Sequence, residues 1–237
     1  MAIKKIYDTK EELAREFCEF FEDMSFIDDD LHIALSGGST PTIVFDLLAQ
    51  NYGSRINWGK VHLYWGDERC VPPSNPASNY KMTKDHLLSK IDIPEENVHR
   101  IQGEEIPFME ADRYGKLLQE KLPEAYGIPQ FDLVILGMGD DGHTASIFPH
   151  EINLWDSDEF CEVGTHPGNR QNRITLTGKL INNAKAVVFL VTGSNKASKV
   201  DHILNKKDGY EQYPASLVEP KKGKLYWFLD RDAASGL

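Results

Sequence analysis

The sequence contains little cysteine and no pattern that would use cysteine in a cross-link or a metal site. Only three cysteines occur among the 237 residues, namely Cys18, Cys70 and Cys161. Their number is odd, and no two of them have C-x-x-C spacing. A disulfide framework and a zinc site are therefore not expected, and a reducing cytoplasm is the expected location.

Long apolar runs are also missing. No run approaches the ~18 apolar residues that a membrane-spanning helix needs, and residues 1–5 do not lead into an apolar stretch. We therefore expect a soluble, unexported protein without a membrane partner.

Positive charge is scarce. The chain carries 26 lysines and arginines against 37 aspartates and glutamates, a formal net charge of -11. Such a balance argues against nucleic acid and anionic membranes as partners. If the ligand is an anion, the cations that hold it must be concentrated locally.

Several catalytic signatures are absent as well. No H-x-x-x-H pair occurs, so no metal site is expected. The chain has no G-x-S-x-G elbow for a nucleophilic serine. The glycine-containing segment of residues 36–40 lacks the lysine of a P-loop and the G-x-G-x-x-G of a dinucleotide site, which favours a small phosphorylated ligand over a nucleotide. We expect no cofactor.

Apolar segments of strand length alternate with amphipathic segments along the chain, and 41% of the residues are hydrophobic. This alternation predicts an α/β fold with a Rossmann-like, mostly parallel sheet, helices on both faces and a single domain over residues 1–237. The predicted strands cover residues 31–35, 61–65, 133–136, 174–176, 187–191 and 224–229. Helices are predicted over 11–21, from Thr40 as N-cap to 48, and over 112–122, with loops at 74–79 and 164–172.

Polar residues follow four of these strands directly. Because the carboxyl ends of parallel strands lie at one edge of the sheet, these four segments are expected to converge on one crevice. The first contains Ser36, Gly37, Gly38, Ser39 and Thr40, whose N–H groups are suited to an anion nest at a helix N-terminus. A plain strand-to-helix turn is the alternative.

The next two segments supply candidate cations. Asp67 and Arg69 follow the strand that ends at Trp65, and Lys196 follows the strand that ends at Val191. Arg173 precedes the strand at 174–176. Arginine offers a planar fork for phosphate or carboxylate. The alternative is that these charged side chains are simply solvated.

The most informative segment is residues 137–146, where a buried strand leads into glycines, two aspartates and a histidine. Asp141 lies two positions before His143 and is suited to orient its imidazole as a general base. The N–H groups of residues 137–142, Gly139 among them, are candidate oxyanion donors. A tight turn with an aspartate helix cap is the alternative, but it leaves His143 unexplained.

Together these blocks resemble the glucosamine-6-phosphate deaminase/6-phosphogluconolactonase family. The resemblance runs from about Ala34 to Ala234. It is carried by residues 36–41 (SGGSTP), 65–69 (WGDER), 78–80 (SNY), 136–146 (LGMGDDGHTAS), 173–177 (RITLT) and 213–216 (YPAS).

The resemblance implies hydrolysis of 6-phospho-D-glucono-1,5-lactone to 6-phosphogluconate in the oxidative pentose phosphate pathway, without metal. It implies that His143 is the catalytic histidine, and that Arg69, Arg173 and Lys196 surround the substrate's phosphate and hydroxyls. The approach to the RITLT block departs from the family's proline-rich pattern, which leaves Arg170 and Arg173 as alternatives for the ligand contact.

Two other functions compete with this one. An aminosugar-phosphate deaminase shares the glycine loop and the histidine motif, but the deaminases continue with a glutamate where this chain has Phe148. A phosphosugar-sensing domain without catalysis is the third interpretation, and such a domain would not need His143. The sequence leaves the oligomeric state open.

Overall fold

The computed structural model describes residues 2–26 and 29–237. Three residues of the domain predicted over 1–237, namely Met1, Ile27 and Asp28, lie outside the described residues, and Met1 also belongs to the segment 1–5. The chain forms twelve described strands: β1 (Ile3–Tyr7), β2 (Leu31–Leu35), β3 (Val61–Trp65), β4 (Asp67–Arg69), β5 (Val98–His99), β6 (Glu124–Ala125), β7 (Ile128–Pro129), β8 (Leu133–Leu136), β9 (Cys161–Thr165), β10 (Asn172–Leu176), β11 (Ala186–Val191) and β12 (Lys224–Asp230). The described α-helices are α1 (Lys10–Ser25), α2 (Ser39–Leu47), α3 (Asn79–His86), α4 (Pro107–Lys121), α5 (Gly178–Ile181) and α6 (Ser194–Leu204).

Seven strands form the central sheet in the order β1-β12-β11-β8-β2-β3-β5, and every neighbouring pair is parallel. β8 and β11 are buried along their whole length, as expected for strands covered on both faces. The predicted Rossmann-like α/β class is confirmed. Among the described residues, the buried apolar side chains other than Phe148 form one contiguous core. The extent of the domain over 1–237 stays a prediction.

A second sheet corrects part of the sequence prediction. β4, β10 and β9 form a separate antiparallel sheet. The predicted strand at 174–176 therefore lies in this small sheet. Residues 67–69, predicted as a loop, are β4, and the predicted loop at 164–172 includes the end of β9 and the start of β10. The pairing of β4 with β10 joins distant parts of the chain, so no local pattern reveals it, whereas β9 and β10 form a hairpin.

The start of α2 also differs from the prediction. The helix begins at Ser39 with Gly38 as its N-cap, and Gly38 has a φ of 110°. Thr40, the predicted N-cap, lies inside the helix, and its hydroxyl is 2.8 Å from the Thr192 hydroxyl. α1 and α4 begin earlier than predicted, and β1, α3 and α6 had no prediction at all.

Candidate active site

The candidate site lies where the strand order changes direction. From β2 the chain builds outward through β3 and β5 on one side, whereas β8 and β11 lie on the other side. Ligands of open α/β sheets bind at such a switch point, outside the carboxyl ends of the strands. The segments that follow β2 and β8, residues 36–40 and 137–146, begin at this point.

His143 and Asp141 form a hydrogen-bonded pair. Nδ1 of His143 lies 2.6 Å from Oδ1 of Asp141, which also accepts the backbone N–H of His143 at 3.1 Å. Burial by itself would raise the pKa of Asp141, but the hydrogen bond and the charge of His143 outweigh it and lower the pKa to about 2. An ionised Asp141 fixes the proton on Nδ1, so the lone pair of Nε2 is available as a base.

Gly139 makes room for this pair. A Cβ built on Gly139 would lie 2.1 Å from Nδ1 of His143 and 2.7 Å from Oδ1 of Asp141. Its N–H donates to the carbonyl of His143 at 2.9 Å, and the N–H of Gly142 donates to the carbonyl of Gly139 at 3.0 Å. These two N–H groups are therefore not free to bind an oxyanion, and the role of Gly139 is to shape the loop.

Phe148 forms an apolar wall beside the histidine. Its side chain is 1% exposed, and its ring centroid lies 4.6 Å from that of His143. A carboxylate in this place would be available for proton transfer, whereas a phenyl ring transfers no protons.

Arg69 and Arg173 lie directly opposite each other on the antiparallel strands β4 and β10. Among the described residues neither guanidinium has an ion-pair partner within 4.0 Å, and Nε of each is buried without a hydrogen bond. Burial and then the neighbouring Arg69 charge lower the pKa of Arg173. The charges of Asp67 and Glu68 raise that pKa but belong to no ion pair with Arg173, and two adjacent cations without a direct ion pair are typical of a site for a multivalent anion.

Arg170, the alternative to Arg173, is exposed in the turn between β9 and β10 and has a φ of 58°. The structure thus places Arg173 and not Arg170 beside Arg69.

Asp67 and Glu68 hold the arginine strand in place. Asp67 is 6% exposed, and its carboxylate accepts from Ser146 Oγ at 2.6 Å and from Asn79 Nδ2 at 3.3 Å. Glu68, which had no predicted role, is 2% exposed and accepts from Ser78 Oγ and from the N–H groups that begin α3. Asp67, a predicted substrate contact, therefore has the geometry of a brace between the loops.

The predicted anion nest is divided in the structure. Gly37 packs so closely on Asn79 that a Cβ would lie 1.9 Å from its Oδ1. Oγ of Ser36 lies 3.3 Å from the carbonyl oxygen of Gly37. A Cβ built on Gly137 would lie 3.8 Å from the same Oγ. The start of the predicted anion nest therefore lies beside residues 137–146, the loop that carries His143 and is called the histidine loop below.

Ser39 and Thr40 instead border a cleft of about 410 Å³, and neither Arg69 nor Arg173 lines this cleft. Its charged lining residues are four acids, Asp8, Glu11, Asp230 and Asp232, and one cation, Lys10, so the lining is negative on balance. An anionic wall repels a phosphate, so the arginine pair is the better place for one.

Lys196 is linked by an ion pair to the loop of residues 137–146, which carries His143 and Asp141. Its ammonium forms an ion pair with Asp140, whose Oδ1 also accepts from Asn195 Nδ2 at 2.9 Å. Asp140 precedes Asp141, so the amino-terminal turn of α6 is tied to the histidine loop.

His166 is a site residue that the sequence did not indicate, because it has no ligand-like spacing to other histidines. It lies in the β9–β10 turn, and its ring packs against Phe148 at 5.3 Å between centroids. Partial burial and the charges of Arg173 and His143 lower its pKa. Its position shortly before Arg173 is the only signal that the sequence offered.

Membrane-spanning helices and metal-binding clusters were the two remaining features that the sequence bears on, and the structure describes residues 2–26 and 29–237. Within them no helix is long and apolar enough to cross a membrane. No group of three or more histidine, cysteine, aspartate or glutamate side chains in that part of the chain is arranged to hold a metal ion.

The fold and the site define a Rossmann-like α/β protein with a histidine–aspartate pair and an arginine pair at the carboxyl edge of its parallel sheet. The family model described as glucosamine-6-phosphate isomerases/6-phosphogluconolactonase matches residues 7–227. The chain belongs to this family, and the predicted family is confirmed.

Relatives agree with that assignment. A 6-phosphogluconolactonase of Haemophilus influenzae is 42% identical over 224 residues, which cover 94% of this chain and 93% of the relative. One of Aggregatibacter actinomycetemcomitans is 43% identical over 225 residues, with the same coverage of 94% and 93%. The solved 6-phosphogluconolactonase of Trypanosoma brucei superposes with a TM-score of 0.88 at 29% identity and covers 100% of this chain and 99% of its own.

Proposed function

We propose that this chain hydrolyses 6-phospho-D-glucono-1,5-lactone to 6-phosphogluconate in the oxidative pentose phosphate pathway, with His143 as general base and without a metal ion. The curated relatives that match most of this chain are named 6-phosphogluconolactonase. These names bear out the predicted enzyme class. The observation that carries the mechanism is the hydrogen-bonded His143–Asp141 pair, in which the carboxylate engages Nδ1 and leaves Nε2 to act as the base.

The reaction needs one proton relay. Nε2 of His143 removes a proton from a water whose oxygen attacks the C1 carbonyl of the lactone, which gives a tetrahedral oxyanion. The bond between C1 and the ring oxygen then breaks as the intermediate collapses, and the imidazolium returns the proton to the departing ring oxygen. Asp141 stabilises the imidazolium and holds its orientation, as the aspartate of a hydrolytic triad does.

The arginine pair supplies the remote binding energy. A phosphate on C6 bound between Arg69 and Arg173 positions C1 at the other end of the substrate, beside His143. Lys196, at the start of α6, is ion-paired with Asp140, and its ammonium is a further candidate contact for the substrate's hydroxyls. A lactone is an activated ester, so water, a base and oxyanion donors suffice and no Lewis acid is required.

Replacing the base tests this mechanism. His143→Ala is expected to lower kcat at least about a hundredfold, the usual scale for the loss of a general base. The measurement is proton release from freshly prepared lactone, corrected for spontaneous hydrolysis, with circular dichroism to verify folding. A folded His143→Ala protein with near-normal kcat would remove His143 from the mechanism.

Metal independence is tested separately. Extended dialysis of the wild-type protein against a chelator is expected to leave kcat unchanged, with elemental analysis to verify that metals are removed. Activity that is lost on dialysis and restored by one divalent ion would contradict this part of the proposal.

Deamination of glucosamine 6-phosphate is the second candidate, since the description of the matched family also names glucosamine-6-phosphate isomerases. Phe148 argues against deamination, because its buried phenyl ring packs against His143. The related deaminases have a glutamate carboxylate at this position. The same protein batch is therefore expected to release no ammonia from glucosamine 6-phosphate. Saturable ammonia release alongside weak lactone hydrolysis would favour the deaminase.

A further inference from the structure

His166 is held rigidly at the start of the turn that joins β9 to β10. Its N–H donates to the carbonyl of Gln171 at 3.0 Å, and its carbonyl accepts the N–H of Arg170 at 3.0 Å. The preceding residue, Thr165, donates its N–H to Glu151 Oε2 at 2.7 Å. The backbone that carries the imidazole is therefore fixed on both sides.

The same turn sets the tautomer of His166. Nδ1 lies 3.1 Å from the N–H nitrogen of Gly168 and 3.3 Å from that of Asn169. A nitrogen that accepts from two backbone N–H groups carries no proton, so the neutral ring carries its proton on Nε2. Partial burial and the charge of Arg173 lower the pKa of His166, which favours this neutral form.

The surroundings place His166 between the two ends of the site. Phe148 packs against its ring at 5.3 Å and against the ring of His143 at 4.6 Å. The charges of Arg173, His143, Asp141 and Arg69 all act on its imidazole. Within residues 2–26 and 29–237, no protein group accepts a hydrogen bond from its Nε2.

We propose that His166 contacts the substrate by donating its Nε2–H to a ring hydroxyl between C1 and the C6 phosphate, and so determines specificity for the sugar. This inference rests on the proposed function, which places C1 at His143 and the phosphate at the arginine pair. The carbons between these two ends carry hydroxyl groups. A neutral N–H in a fixed orientation is a suitable donor for a hydroxyl oxygen, whereas the phosphate already has two cations.

Two amide variants separate this role from a structural one. His166→Asn places an acceptor where Nδ1 stands and removes the donor at Nε2. His166→Gln places an N–H group near Nε2 and removes the acceptor that the turn uses. A residue needed only for the turn would tolerate asparagine better, whereas a substrate contact would tolerate glutamine better.

Steady-state kinetics on the phosphorylated lactone and on unphosphorylated glucono-1,5-lactone give the readout. His166→Asn is expected to lower kcat/KM about five- to tenfold on both lactones, mainly through KM, the scale of one neutral hydrogen bond. His166→Gln is expected to stay within about threefold of wild type on both. His150→Ala is the matched control, because the exposed His150 ring also packs against Phe148, at 5.9 Å.

Each other outcome overturns the inference. Wild-type kinetics in His166→Asn, or equal losses in both amide variants, would mean that Nε2 donates nothing to the substrate. An equal loss in His150→Ala would mean that packing on Phe148 explains the effect. A loss confined to the phosphorylated lactone would place His166 at the phosphate. If the wild-type protein hydrolyses neither lactone, the proposed function itself fails and this inference fails with it.

Discussion

Arg173 and Arg170 differ in exposure because Arg173 lies in a strand and Arg170 lies in a turn. Arg173 belongs to a strand that is paired on both sides, so its guanidinium is half-buried beside Arg69. Arg170 lies only a few positions earlier but in an exposed turn. The two residues are thus a natural comparison of a site cation and a surface cation.

We predict that Arg173→Ala raises KM for the phosphorylated lactone roughly 10- to 100-fold, because charge-assisted hydrogen bonds are worth about 1.5–3 kcal/mol. Arg170→Gly, which suits the positive φ of that position, is the matched control and is expected to leave KM unchanged. Initial rates at several lactone concentrations give both values. If Arg170→Gly raised KM as much as Arg173→Ala, the cation at the turn would be the ligand contact.

At the scale of elements, the loop after β8 turns a buried strand into a site. Met138 is 6% exposed, and the hydroxyl of Thr144 donates to the carbonyl of Gly137 at 2.9 Å, so the loop folds back on itself. The loop also binds its neighbours, since Ser146 donates to Asp67 and the carbonyl of Gly142 accepts the N–H of Ala215. Its glycines therefore serve close packing as much as backbone freedom.

We predict that Gly139→Ala lowers kcat by about a hundredfold or more, because the new methyl group would displace the His143–Asp141 pair. Gly115→Ala in α4 is the control, since a Cβ there lies 3.8 Å from Cβ of Phe160, an ordinary contact. The control is expected to keep wild-type kcat and to gain up to about 1 kcal/mol in stability. A Gly139→Ala enzyme with normal kcat would show that the loop tolerates a larger residue beside the dyad.

At the scale of the whole molecule, the neighbouring strands β2, β3 and β5 carry a second group of histidines. His32, His62 and His99 stack across β2, β3 and β5, with ring centroids 4.9 Å and 5.5 Å apart. Burial lowers the pKa of all three, and that of His99 falls to about 4. The charged groups that act on this stack are Asp30, Asp132, Lys121 and Lys185.

The stack predicts loss of stability in mild acid. A histidine whose folded pKa is lower than its unfolded value of about 6.5 stabilises the fold above that pH, and this contribution is lost as the pH falls towards the folded pKa. For His99 the window runs from about 6.5 to about 4, and the loss is on the order of 2 kcal/mol by pH 4.5.

Urea unfolding of the wild type and of His99→Gln between pH 4.5 and 7.5 checks this expectation. The free energy of unfolding is expected to fall more steeply with acid in the wild type than in the variant. His150→Gln, which changes an exposed histidine outside the stack, should retain the wild-type slope. Identical slopes for wild type and His99→Gln would contradict the prediction.

Much of the site was predictable because some of its chemistry is local. Asp141 and His143 are two residues apart, and their glycine neighbours signal a close approach of backbone, so the pair could be predicted from one segment. The convergence of loops 36–40 and 137–146 followed from parallel strands that share an edge. The exact start of α2 was less predictable, because Thr40 hydrogen-bonds Thr192 far along the chain and not its own helix.

The sequence by itself determined the α/β class, the position of the strands that end in polar residues and the histidine–aspartate pair, since each depends on residues within one segment. Only the tertiary structure decided that Arg173 and not Arg170 faces Arg69, that Asp67 is a brace, and that His166 shares Phe148 with His143. The physical reason is that the small antiparallel sheet pairs β10 with β4, a strand from a distant part of the chain. Which charges become neighbours across such a sheet depends on its register, and local sequence patterns do not encode that register.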